Sequence, residues 1–322
     1  MRTPLPLRTT PSSRPMLTTL LVAAGFVGPS GLYLRGGASA SNRVSMETQP
    51  LEYASSCWLP TTWTSLPLIS KTEYNYDSTL YTFGLPEGVS LNLPACGCIL
   101  LLAPSAEKDG SDAIRPYTPI SPNEVTGSFQ LIVKRYVGGA VSQYLHALEV
   151  GAEVSFKHII FNVKRQYPFE PARSISLLCA GTGIAPIYQA LLRLMNTPGD
   201  ERKVTLLYGN KSPDDILLKD ELDAFARQHP DRLKVVHVVG ETADAAAPAG
   251  WASTDTYTAE TGWIDETKIR KYCFPPSYDT AVFVCGLPIM YDLWCGPRTE
   301  AEVAEGTLLY RLGYTMEMVA KM

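Results

Sequence analysis

The chain has 322 residues, 45% hydrophobic and 19% charged, with a formal net charge of −4. That length accommodates about two domains with real cores, and the mildly acidic balance argues against a nucleic-acid surface. The seven cysteines, an odd count at irregular spacing, argue against a secreted disulfide framework. Cys96-Gly97-Cys98 has no second Cys pair or His cluster at zinc spacing, so no metal site is expected.

The first segment, residues 1–46, stands apart. Arg2, Arg8, Arg14, Arg35 and Arg43 are its only charges, and Ser and Thr are frequent. Basic, hydroxylated and acid-free is the composition of an organelle targeting peptide. Met16 to Val27 is apolar before Gly28-Pro29-Ser30-Gly31 interrupts it, which is short for a bilayer span. Mitochondrial targeting with a possible membrane anchor is the favoured reading. A secretory signal, and with it the endoplasmic reticulum membrane, is the competitor, because Ala38-Ser39-Ala40 resembles a cleavage site.

From Trp63 to about Phe161 the pattern predicts short strands. Tyr81-Thr82-Phe83, Cys98 to Leu102, Phe129 to Lys134 and Glu153 to Phe156 are β-rich, with Gly and Pro between them. Such spacing reads as an antiparallel barrel or sandwich. One helix is expected at Ser142 to Leu148, with Ser142 as its cap. After Pro168 and Pro171 the rhythm changes. Strands are predicted at Ser174–Ala180, Val204–Tyr208, Leu233–Val239 and Thr280–Cys285. Helices are predicted at Pro186–Met195, Leu217–Gln228 and Asp265–Lys271. Strand–helix alternation implies a doubly wound parallel sheet, with the linker near residues 165–172. Thr242 to Thr261, rich in Ala, Thr and Gly, reads as a surface loop.

Four strings carry chemistry. In Arg115-Pro116-Tyr117-Thr118, Arg offers a bidentate phosphate contact and Tyr a flat face with a polar edge. Pro116 stiffens the backbone between them. In Gly138-Gly139-Ala140-Val141-Ser142, two glycines permit close ligand approach, and the helix start offers an anion site. Gly181-Thr182-Gly183 follows a strand and opens a helix, where parallel sheets bind nucleotides. Cys285-Gly286-Leu287-Pro288 again follows a strand, and a small side chain beside a glycine leaves room for a flat ring. Each string alone has an ordinary structural explanation: a strand end, a hairpin turn, a tight strand-to-helix turn, a buried thiol. Their order and domain context do not.

With these strings the chain resembles the ferredoxin–NADP reductase superfamily, and within it the NADH-cytochrome b5 reductases, mitochondrial group included. Phe156-Lys157-His158, Phe161-Asn162-Val163-Lys164, Leu207-Tyr208-Gly209-Asn210 and Asp215-Ile216-Leu217-Leu218 match as well. The resemblance implies an antiparallel six-stranded FAD barrel at 47–168, followed by an α/β doubly wound NADH domain at 169–322. It implies that Arg115, Pro116, Tyr117 and Thr118 hold the FAD phosphate, flavin face and ribityl region. Ile132, Lys134, Val141 and Ser142 would line the rest. Gly181 and Gly183 would admit the pyrophosphate, and Thr182 would stand where flavin and nicotinamide meet. Cys285 and Pro288 would flank the nicotinamide. Asp215 matches the acidic position associated with NADH preference. Thr118, Thr182 and Cys285 are the candidate catalytic residues. Three departures stand out: Ala140 where many members carry Lys, Ala180 where Gly is frequent, and Leu287 where Pro is.

The implied reaction is hydride transfer from NADH to FAD, then single electrons to cytochrome b5 or a related haem protein. No catalytic triad is present, and the cofactor does the redox chemistry. Two alternatives remain at this stage. One is a flavoprotein reductase with a quinone or ferredoxin-like acceptor. The other is a non-catalytic membrane-bound subunit that keeps the fold, against which the intact Arg115, Ser142 and Gly181-Thr182-Gly183 speak.

Overall fold

A computed structural model describes residues 57–159 and 165–322 of the protein. The arginine-rich segment 1–46 and the string Phe161-Asn162-Val163-Lys164 lie outside the described residues. Among the described residues, no helix is long and apolar enough to cross a membrane.

The first half is a sheet of six antiparallel strands: β1 (Thr64–Glu73), β2 (Ser78–Gly84), β3 (Ile99–Ala103), β4 (Ala113–Tyr117), β5 (Ser128–Lys134) and β6 (Glu153–His158). They pair in the order β4-β3-β6-β1-β2-β5, curving as a half-barrel around one core. The period of two is visible in β3, where Ile99, Leu101 and Ala103 are buried and Leu100 and Leu102 are not. Three inward rings, Phe83, Phe129 and Phe156, meet at centroid distances of 4.7, 5.4 and 5.5 Å. Two of those contacts are edge-on, an arrangement that ring quadrupoles favour.

Helix α1 (Ala140–Ala147) starts before the position predicted for it, and its cap is Gly139 rather than Ser142. Ser142 works from inside the first turn instead. Its hydroxyl donates to the Gly139 carbonyl at 3.1 Å and accepts the Tyr136 N–H at 3.2 Å. The glycine pair is what allows this: Gly138 has φ +76°, and a Cβ on Gly139 would meet Ser142 Oγ at 2.5 Å. A serine near a helix start has two local bonding options, and the sequence alone did not separate them.

The second half is a wholly parallel sheet. Its strands are β7 (Ser174–Ala180), β8 (Lys203–Asn210), β9 (Leu233–Val239), β10 (Thr258–Thr261), β11 (Thr280–Cys285) and β12 (Val319–Lys321). Helices α2 (Ile184–Asn196), α3 (Lys219–Gln228), α4 (Glu266–Tyr272), α5 (Pro288–Trp294) and α6 (Leu308–Arg311) connect them. Strands covered on both faces read as continuous apolar runs, and β7 is buried from Ile175 to Ala180. The order β10-β9-β8-β7-β11-β12 means that the chain leaves β7 toward one edge and returns on its other side at β11. The carboxyl ends of β7 and β11 are therefore the topological switch point, where ligands of such sheets bind.

The segment expected as a loop at Thr242 to Thr261 ends in an edge strand, β10, paired with β9 from Thr258↔Val236 to Thr261↔Val239. Its small polar composition reads as turn material, but an edge strand tolerates it. Helices α5 and α6 and strand β12 had no expectation attached to them.

The two sheets are fastened to each other. Gln189 on α2 donates to Pro119 O at 2.6 Å and Ser121 O at 3.0 Å, just beyond β4. The Leu218 N–H donates to Tyr74 Oη at 2.9 Å, with Leu218 itself at φ +58°. Phe169, 1% exposed, packs edge-on against Phe283 at 5.0 Å and anchors the connecting chain.

Candidate active site

A cleft of about 430 Å³ runs between the half-barrel and the switch point. It gathers Arg115, Pro116, Tyr117 and Thr118, then Ile132, Lys134, Val141 and Ser142, and, from the other domain, Thr182, Gly183 and Cys285. Gly181, Asp215 and Pro288 do not line it.

At one end the cleft suits a phosphate. Arg115 and Tyr117 stand two apart on β4, opposite Leu101 and Ile99 on β3, so both leave the same face of the strand. The first turn of α1 carries N–H groups with no intrahelical acceptor, and Ala140 and Val141 line the cleft there. Arg115 is half-exposed. Its Nη2 lies 2.7 Å from Glu107, which also lines the cleft, and its Nη1 donates to Ile114 O.

In the middle the walls suit a flat ring. Tyr117 is half-buried, and burial raises its phenol pKa against the pull of the Arg115 charge. The hydroxyl therefore stays protonated and able to donate at neutral pH. Ile132 and Val141 add apolar surface.

The far end brings the domains together. Gly181–Gly183 is a single 3-10 turn between β7 and α2, with Gly181 at φ +52°. A Cβ on Gly183 would lie 2.5 Å from Cys285 O and 2.7 Å from Cys285 C. Only glycine lets this turn sit against the end of β11, and Thr182 and Cys285 share the lining of the cleft there. Burial pushes the Cys285 thiol up to about 11, with the Tyr291 hydroxyl and the Arg298 charge pulling the other way. The thiol is neutral at physiological pH, which suits contact with an uncharged ring better than nucleophilic work.

These features fit a flavin dinucleotide. A cation and a helix start stand at one end, apolar and aromatic walls in the middle, and a backbone-lined gap at the switch point. Arg115, Tyr117, Thr118, Ser142 and the first turn of α1 would hold FAD. Thr182, Gly183 and Cys285 face the place where a nicotinamide would stack on it.

Asp215 does not line the cleft, and its carboxylate is engaged within the chain. Its carboxylate is 4% exposed and accepts from Tyr76 Oη at 2.6 Å, Ser212 Oγ at 2.7 Å and Lys134 Nζ at 2.8 Å. Burial would raise its pKa, but these bonds hold it below the usual carboxylate range. It fastens the nucleotide domain to the half-barrel through Tyr76 and Lys134. Lys134 is spent likewise: its ammonium lies 2.8 Å from both Asp77 and Asp215. Pro288 is the first residue of α5, where its missing N–H costs nothing. Gly181 supplies the positive φ of the turn, and its carbonyl accepts the Tyr208 hydroxyl at 3.0 Å.

Sequence reasoning missed Glu107, Tyr136, Tyr291 and Arg298, all of which line the cleft. None sits in a recognisable motif. Glu107 and Arg298 lie on loops whose approach to the cleft depends on tertiary packing.

The oxidoreductase FAD-binding domain family matches residues 65–163, and the oxidoreductase NAD-binding domain family matches residues 177–296. An NADH-cytochrome b5 reductase 1 from Lodderomyces elongisporus is 38% identical over 240 residues, covering 72% of each chain. An NADH-cytochrome b5 reductase 2 from Saccharomyces cerevisiae is 36% identical over 264 residues, 80% of this chain and 82% of its own. Among solved structures, the cytochrome b5 reductase domain of Ulva prolifera nitrate reductase superposes with a TM-score of 0.67 at 28% identity. It covers 82% of this chain and 98% of that domain.

Proposed function

The chain belongs to the NADH-cytochrome b5 reductase family, FAD-dependent flavoproteins oxidising NADH, and we propose that it delivers electrons singly to cytochrome b5 or a related haem protein. The observation that carries this reading is the meeting of Thr182 and Cys285 with the Arg115–Thr118 wall in one cleft. FAD, when bound, supplies the chemistry that links a two-electron donor to a one-electron acceptor.

The chain's own residues position and insulate. Arg115 and the α1 start offset phosphate charge. Tyr117 presents its ring and a protonated hydroxyl. Gly183 keeps the Thr182 turn against the end of β11, and Thr182 and Cys285 would hold the nicotinamide at the switch point. That is positioning catalysis, in which the geometry is prepaid by the fold. The neutral Cys285 thiol fills the corner without adding charge.

Purified protein should be yellow and should bleach anaerobically with NADH. Reoxidation by cytochrome b5 should then compete with reoxidation by ferricyanide. Rapid ferricyanide turnover without measurable cytochrome b5 turnover would move the reading to another acceptor.

The destination within the cell is also part of this reading. The basic, acid-free segment 1–46 with its apolar run supports a mitochondrial membrane. A fusion of that segment to a fluorescent protein, followed by fractionation and alkaline extraction, checks it; accumulation in the endoplasmic reticulum contradicts it.

A further inference from the structure

Three cationic side chains line the cleft, and the chain already neutralises two of them. Arg115 is paired with Glu107, and Lys134 with Asp77 and Asp215. The third, Arg298, has no acidic partner among the described residues. It is the only uncompensated positive charge on the cleft wall there.

Its placement is built. Arg298 lies in the loop after α5, which begins at Gly296 with φ +86°. Lys321 on β12, only 4% exposed, donates to Pro297 O at 3.0 Å and to Glu302 O at 2.7 Å. These bonds grip the loop on both sides of Arg298. The Ala304 N–H closes its base on Cys295 O at 3.0 Å. Burying an ammonium on two carbonyls is a costly anchor, and here it fixes the backbone that presents a guanidinium.

Arg298 lines the cleft together with Cys98 and Cys285. Burial pushes the Cys98 thiol up to about 12 and the Cys285 thiol up to about 11, and the Arg298 charge opposes both. Cys98 belongs to the half-barrel and Cys285 to the end of β11. Arg298 therefore acts across the junction of the domains, while the phosphate end is served by Arg115 and α1.

Resting on the FAD and NADH reading above, we propose that Arg298 is an electrostatic residue of the reaction that stabilises the ring system in its reduced state. Hydride transfer breaks a C–H bond of the dihydronicotinamide and moves the hydrogen with both electrons to the flavin. NAD+ is the other product, and the flavin ring gains one net negative charge. A cation beside that ring, carried on an anchored loop, would favour the reduced side and raise the reduction potential.

The test is a spectroelectrochemical titration of the FAD-loaded full chain, wild type against Arg298→Gln and Arg298→Lys, with FAD dissociation constants measured alongside. Arg298 is exposed, so solvent screening moderates the effect. The Gln variant should lose about three- to tenfold in the reduction equilibrium, tenfold being about 30 mV for a two-electron couple. The Lys variant should retain most of the potential, and the dissociation constant should stay as in wild type. An unchanged potential in a yellow Gln variant overturns the proposal. So does a change confined to FAD affinity, or one confined to the salt dependence of acceptor turnover. A wild-type protein that takes up no FAD overturns the underlying site reading instead.

Discussion

Lys134 Nζ lies 2.8 Å from the Asp215 carboxylate, and the pair joins β5 of the half-barrel to the turn that precedes α3. Both side chains are largely buried, at 16% and 4% exposed. Burial favours the neutral lysine, but the hydrogen bonds it donates to Asp215 and Asp77 outweigh burial and hold its pKa above the ordinary value. Asp215→Asn leaves Lys134 with Asp77 alone. Removing one partner of a buried pair is strongly destabilising, and with Asp77 as a remaining partner the cost should be about 2 kcal/mol, or roughly 5 °C in melting midpoint. The ratio of NADH to NADPH turnover in the same variant tells whether the carboxylate also bears on the coenzyme: a ratio as in wild type would confine Asp215 to this junction. A variant with unaltered melting but a changed coenzyme ratio would return Asp215 to the ribose.

His237 gives the fold a dependence on pH. It is fully buried on β9, between the rings of Tyr208 and Tyr257 at 5.8 and 5.0 Å. Neither of its nitrogens has a hydrogen-bond partner. Burial lowers its pKa from 6.5 to about 4, the Asp223 charge opposing and the Lys219 charge adding. The unfolded chain therefore binds the proton first, and stability falls as pH drops from about 6.5 towards 4, by at most about 3 kcal/mol. Depressed carboxylates such as Asp215 add their loss at lower pH. Urea midpoints at pH 7 and pH 4.5 should differ less in His237→Phe than in wild type; equal differences would remove His237 as the source.

The parallel half of the fold was legible because its strands are buried on both faces: Ser174–Ala180, Leu233–Val239 and Thr280–Cys285 fall where their apolar runs put them. The edge strands were not. β10 carries Thr, Ala and Glu, and β12 has three residues. Neither has enough pattern to announce a period. In the cleft, motif residues such as Arg115, Tyr117 and Thr182 carry a local signal because backbone and side chain are fixed together. The partner of a motif residue does not. That Glu107 reaches Arg115, and that Asp215 turns to Tyr76 and Lys134, follows from how loops and sheets dock.

The Glu107–Arg115 pair should set how tightly FAD is held. Glu107 stands on a turn that closes without Arg115: Gly110 N–H donates to Glu107 O at 3.0 Å, and Ser105 N–H to Asp112 Oδ1 at 2.9 Å. A diphosphate arriving at Arg115 meets that carboxylate, and Ala140 adds no compensating charge. Arg115→Ala removes a charge-assisted contact of about 1.5–3 kcal/mol and should weaken FAD binding by roughly ten- to a hundredfold. Glu107→Gln should strengthen it by about threefold, an amount typical of a partly exposed charge. Fluorescence titration of the apoprotein reads both, and weaker binding in Glu107→Gln would make the carboxylate a support for Arg115 rather than a competitor.

Gly183→Ala probes the junction itself. The added methyl would lie 2.5 Å from Cys285 O and 3.0 Å from Gly286 N, both backbone atoms that no side-chain rotation can move aside. The turn must lift from β11, taking Thr182 with it. Overpacking of this kind costs about 1–3 kcal/mol, and a misplacement near 1 Å at a reacting centre slows the chemistry by about a hundredfold. The half-barrel end of the cleft is untouched, so FAD affinity should hold while the rate of anaerobic bleaching by NADH collapses in stopped flow. Parallel loss of FAD and of bleaching would mean that the turn supports the whole cleft; normal bleaching would mean that Thr182 and Cys285 need not be adjacent for the transfer.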